Sequence, residues 1–184
     1  MLQSSITYVR PTCHNTMLAV RCFVVGFKTV KMKNKGYFGI GIINPKTEMN
    51  VGSLWRSANI LGASFIFIIG KRIKNQASDT LKTYESIPMY YYDNFEDFYK
   101  SIPYDCRLVG VELDEKSVKI ENYQHPCRCI YLLGAEDNGI SPVARNQCHQ
   151  LIQLPKGNYN VANAGTIVMY DRYLKSVMSV VAPQ

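Results

Sequence analysis

Three short stretches carry the residues whose types and spacing could do chemistry. The first is "NPKTEMNVGSLWRSA", residues 44–58. From Met49 to Gly70 the chain runs through 22 residues with one ionisable side chain, Arg56. A guanidinium keeps its charge at any ordinary pH and presents a planar fork of donors, which suits a phosphate. The simpler reading of Arg56 is a solvated side chain on an outward helix face. Against it, a surface helix normally carries several charges, and Gly52 and Ser53 beside Arg56 let a ligand approach the backbone closely. The second stretch is "LLGAEDNGIS", residues 132–141, where Gly134, Glu136 and Gly139 follow an apolar run. A lone Glu136 in that place is more often an ordinary loop carboxylate than a catalyst. The third is "LPKGNYNVANAG", residues 154–165, a loop dense in Asn and Gly.

The elements that must position these stretches follow from periodicity. "YFGIGIIN" (37–44) reads as a strand ending in Asn-Pro. Asn50 is placed to N-cap a helix from Val51 to Leu61, which Gly62 stops. Val51, Leu54, Trp55, Ala58 and Leu61 share one face of it, with Arg56 roughly opposite. "SFIFIIG" (64–70) is a continuous apolar run, as a strand buried on both sides should be. "IPMYYY" predicts a strand and "NFEDFYKSI" a short helix. "RLVGVEL" (107–113), "CIYLLG" (129–134) and "QLIQLP" predict strands, "SPVARNQC" a short helix, and Val161 to Val181 a long closing helix. Strands alternating with helices predict an α/β fold with a mostly parallel sheet flanked by helices. In such a sheet ligands bind at the carboxyl ends of the strands, where all three stretches fall. The loop into the first helix suits an anion such as phosphate.

Other site chemistries are excluded by spacing. Gly39-Ile-Gly41 lies within a strand and lacks the third glycine of a dinucleotide fingerprint, and no GxxxxGK[ST] loop occurs. His14, His125 and His149 stand apart from the three loops, so no Ser-His-Asp arrangement forms. "HPCRC" with Cys148-His149 has no CxxC pair and reads as two ordinary core thiols rather than a metal site. The net charge of +7 is not spread evenly. Residues 1–47 hold seven Lys and Arg and no acid, and the remainder holds 14 basic and 14 acidic residues. The basicity therefore belongs to the N-terminal segment, not to the domain. Residues 1–35 form a basic extension with no convincing helical or strand pattern. It reads as an upstream extension with an alternative start at Met32, as an organelle transit peptide, or as a basic RNA-binding arm. "MLAVRCFVVGF" is too short and too charged to span a membrane. A reduced compartment is expected, cytoplasmic unless residues 1–31 are a transit peptide.

Taken in order, the three stretches resemble the motifs of the SpoU/TrmH family of RNA methyltransferases, in the SPOUT superfamily. "NPKTEMNVGSLWRSANILGA" is similar to the first motif, an Asn-x-Gly turn followed by an Arg. "IYLLGAEDNGIS" is similar to the second, and "LIQLPKGNYNVANAGTIVMYD" to the third. The resemblance covers roughly residues 37–181, within a domain of residues 36–184. It implies an α/β fold whose C-terminal part is tied in a deep trefoil knot, against the usual unknotted rule. It implies S-adenosyl-L-methionine as cofactor, a homodimer with its site completed across the interface, and methylation of a ribose 2′-hydroxyl in tRNA or rRNA. It assigns Arg56, Asn50 and Glu136 to catalysis. Leu133, Gly134, Leu154, Tyr159 and Asn160 fall to the cofactor.

Two features depart from that pattern. The third motif usually reads Ser-Leu-Asn, and here it is Asn158-Tyr159-Asn160. The residues before the resemblance are also not expected to form the separate N-terminal RNA-binding domain that many relatives carry. Asn158 still donates and accepts hydrogen bonds, but the hydroxyl is gone. The alternative is thus a catalytically weak or inactive RNA-binding homologue, or an enzyme with another acceptor. In the polar loop "KRIKNQASDTLKT", Lys71, Arg72 and Lys74 are candidates for RNA phosphate contacts, with a solvated loop as the plain reading. No membrane partner is expected.

Overall fold

Uncharged runs rich in β-branched and aromatic residues form the middle of a 7-stranded sheet in the computed structural model, which describes residues 36–70, 86–135 and 137–181. The strands are β1 (Tyr37–Ile43), β2 (Phe65–Ile69), β3 (Met89–Tyr92), β4 (Arg107–Val111), β5 (Val118–Lys119), β6 (Arg128–Leu133) and β7 (Gln150–Gln153). They lie in the order β3-β2-β1-β6-β4-β7-β5, and every pairing is parallel. The helices are α1 (Glu48–Ile60), α2 (Phe95–Lys100), α3 (Pro142–Gln147) and α4 (Val161–Val181). No helix among the described residues is long and apolar enough to cross a membrane.

Both sheet faces are covered, as a parallel sheet requires. Side chains alternate along β2: Ile66 and Ile68 join Leu54, Ala58, Val168 and Met169 under α1 and α4. Phe67 and Ile69 turn to the other face, with Phe98 of α2 and Ala144 of α3. The aromatic residues of 89–99 serve this core, since Phe98 stacks on Phe67 with ring centres 4.4 Å apart. Each fully buried Leu, Ile or Phe contributes about 1.5–3 kcal/mol by leaving water.

Two expectations from the sequence need correction. Helix α1 starts three residues earlier than expected, and its N-cap is Thr47, not Asn50. The Thr47 hydroxyl accepts the Asn50 N–H at 3.4 Å, which puts the Asn50 side chain inside the first turn and turns it to another use. The two thiols of "HPCRC" are not both in the core: Cys129 is buried and Cys127 exposed. The stretch between β4 and β6 holds the two-residue β5 and a single 3-10 turn, Ile120–Asn122.

Helix α4 is fastened at the amino end of β6 by a polar network. The His125 ring contacts the Tyr131 hydroxyl through Nδ1 at 2.5 Å and the Asp171 carboxylate through Nε2 at 2.8 Å. Asp171 also accepts from Lys175 Nζ at 2.7 Å. Arg172 donates to the carbonyl oxygens of Pro126 and Cys127, at 2.7 and 3.0 Å. Burial holds the His125 ring below its ordinary pKa, outweighing the opposite pull of Asp171, and pushes the Tyr131 hydroxyl and Cys129 thiol up. His149 is likewise structural, its Nδ1 accepting the Leu108 N–H at 3.0 Å.

Candidate active site

The carboxyl ends of β4, β6 and β7 surround a cavity of about 500 Å³. Residues 111–113, 133–135, 137–139 and 154–159 line it, with Val161 and Ala164 from the first turn of α4. This volume suits a small organic ligand of nucleoside size. Leu133, Leu154 and Val161 give it an apolar wall, and Asp137, Asn158 and Lys156 a polar one.

The loop after β6 owes its shape to two glycines. Ala135 and Gly139 exchange backbone hydrogen bonds, 3.1 and 2.9 Å long, closing the loop on itself. Gly139 has φ +60°, a left-handed conformation that side chains disfavour. A Cβ on Gly134 would lie 2.3 Å from the Gly139 carbonyl carbon, so only glycine fits there. Ser141 then caps α3, its hydroxyl accepting the Ala144 N–H at 3.3 Å.

The first and third stretches meet through two asparagines. Asn160 caps α4, its Oδ1 accepting the Ala162 N–H at 2.9 Å, while its Nδ2 donates to Asn50 Oδ1 at 2.9 Å. Lower down, the Thr166 and Ser57 hydroxyls are hydrogen-bonded at 2.9 Å, so α1 and α4 are joined by polar contacts as well as by Leu54 and Ala58. Lys46 and Asp137 form an ion pair that links the first stretch to the second.

Of the residues singled out from sequence, Leu133, Gly134, Leu154 and Tyr159 line the cavity. Asn160 adjoins it and touches Asn50. Glu136, Lys71, Arg72 and Lys74 lie outside the described residues. Arg56 is not brought into the cavity. It stands exposed on α1, and no hydrogen bond or ion pair ties it to another described residue. Sequence reasoning missed the end of β4, where Glu112 enters the cavity wall. Its only signal was a carboxylate directly after an apolar strand.

Residues 38–170 match the family model described as SpoU rRNA Methylase. The chain belongs to the SpoU family. A stretch of 69 residues is 35% identical to the 23S rRNA (guanosine-2'-O-)-methyltransferase RlmB of Acinetobacter baylyi, and it makes up 35% of this chain and 28% of that relative. Among solved structures, the A. aeolicus TrmH/SpoU tRNA modifying enzyme superposes with a TM-score of 0.71 at 18% identity, over 81% of this chain and 80% of that one. AviRb from Streptomyces viridochromogenes, solved in complex with AdoMet, gives 0.69 at 21% identity, over 78% of this chain and 62% of that one. The fold is thus the SpoU fold, with the cavity at the carboxyl ends of its strands.

Proposed function

We propose that the chain is an S-adenosylmethionine-dependent RNA methyltransferase acting on a ribose 2′-hydroxyl of tRNA or rRNA. The observation that carries this is the cavity formed by the second and third SpoU stretches at the carboxyl ends of β4, β6 and β7. The residues present fit the cofactor. Leu133, Leu154 and the backbone around Gly134 and Tyr159 would hold it, and Asp137, Lys156 and Asn158 would offer its polar groups hydrogen bonds. When bound, the cofactor supplies an electrophilic methyl group on a sulfonium.

The chain's own residues must hold the ribose oxygen in place and stabilise it as its proton leaves. Arg56 takes that part. It grips the adjacent phosphate bidentately and stabilises the developing alkoxide. The family resemblance implies a homodimer with its site completed across the interface, and the place of Arg56, outside the wall of its own cavity, is compatible with that arrangement. The exposed apolar side chains Ile60 on α1 and Tyr170, Tyr173, Val177 and Met178 on α4 are candidates for that contact. Lys71, Arg72 and Lys74 are further RNA phosphate contacts in this reading.

The strand order also supports the expected trefoil knot. β4 and β5 are consecutive in the chain, yet β7 lies between them. A later strand set between two earlier ones is the arrangement such a knot needs.

The test is transfer of labelled methyl from S-adenosylmethionine to unmodified RNA. Label at alkali-resistant linkages is expected. Cofactor binding and RNA retention without transfer would replace the enzyme by an RNA-binding homologue disabled at Asn158.

A further inference from the structure

We propose that Glu112 is a positioning residue that braces Gly139 and Ile140, after β6, in their cofactor-accepting arrangement, an inference that rests on the cofactor reading above. Glu112 is itself firmly placed. Its backbone N–H donates to the Ile152 carbonyl at 2.9 Å, and its own carbonyl accepts the Ser117 hydroxyl at 2.8 Å. From that base the carboxylate crosses to the neighbouring loop. Oε2 accepts the Ile140 N–H at 2.7 Å, and Oε1 accepts the Leu113 N–H at 3.2 Å. A carboxylate accepting a backbone N–H makes a bond roughly twice as strong as a neutral pair.

The fit is tight as well as polar. A Cβ built on Gly139 would lie 2.3 Å from Glu112 Oε2, so the carboxylate fills the space that a side chain at 139 would need. Gly139 in turn stands against Gly134. Glu112 therefore presses on the loop from outside while the Ala135–Gly139 pair closes it from within. Without the carboxylate the Ile140 N–H loses its partner, and the left-handed Gly139 loses the contact that selects its conformation. The loop then samples shapes that narrow the cavity.

The test contrasts two conservative variants. Glu112→Gln keeps an oxygen able to accept from Ile140 and drops the charge. Glu112→Asp keeps the charge and cannot reach. Two quantities are read: hydrogen exchange of the Gly139 and Ile140 amides in the ligand-free protein, and the Kd for S-adenosylmethionine by calorimetry. Glu112→Asp is expected to speed exchange and weaken binding about tenfold, with Glu112→Gln within about threefold of wild type on both. The brace is overturned if Glu112→Asp leaves exchange unchanged, or if Glu112→Gln binds as poorly as Glu112→Asp, which would mark a direct charge contact with the ligand. Failure of the unaltered chain to bind S-adenosylmethionine would overturn the functional reading instead, and the exchange data would still decide the brace.

Discussion

Helix α4 is held at two places by opposite means. At its amino end the contacts are neutral amides, Asn160 with Asn50 and with its own first turn, beside an open cavity. Two to four turns further on, Asp171, Arg172 and Lys175 lock onto His125, Tyr131 and the backbone of 120–127. The His125 side chain is only 4% exposed, and no buried polar side chain among the described residues lacks a partner. A fully satisfied buried network makes a rigid anchor. The cavity end keeps its polar groups at a surface a ligand can reach. One helix thus carries stability at one end and recognition at the other.

The largest effect that would break this comparison is at the anchor. Asp171→Ala removes the carboxylate shared by His125 and Lys175 and is expected to cost about 2 kcal/mol, within the range for hydrogen bonds to a charged group. Urea unfolding checks it, with the midpoint lowered and the affinity of the folded protein for S-adenosylmethionine unchanged. A loss of affinity without a loss of stability would reverse the roles of the two ends. Next is the cavity. Gly134→Ala forces a Cβ against the Gly139 backbone. It is expected to weaken cofactor binding by at least tenfold, about 1.4 kcal/mol, with less effect on the unfolding midpoint than Asp171→Ala. Smallest is a pH effect confined to the anchor. Burial lowers the His125 pKa from its ordinary 6.5. As pH falls through that value the unfolded chain takes up the proton first, so stability is lost below about 6.5 and unaffected above it. Urea midpoints between about pH 5.5 and 7.5 should fall more steeply in the wild type than in His125→Gln.

How much was legible in the sequence differs between these ends for a physical reason. Apolar runs such as Phe65–Ile69 and the Val51, Leu54, Ala58 stripe were readable because periodicity is local. So were the loops after β6 and β7, whose Gly and Asn residues act where they stand. The start of α1 was misjudged because Thr47 and Asn50 are both good N-caps, and the choice depends on Asn160, 110 residues away. The anchor was invisible because His125 and Asp171 lie 46 residues apart and neither belongs to a local pattern. Glu112 was missed for the same reason: its partner Ile140 is 28 residues on. Polar pairs that close across the sheet leave no period in the chain.

In the proposed function the cavity and Arg56 act together in methyl transfer, with Arg56 acting on RNA rather than on the cofactor. The most direct measurement is labelled methyl transfer to unmodified RNA by the full chain, with wild type and Arg56→Ala assayed side by side and cofactor affinity measured for both. Alkali-resistant label with the wild type, a loss of at least about 100-fold with Arg56→Ala, and equal cofactor affinity are expected. Near-equal turnover by the two proteins would contradict the proposal.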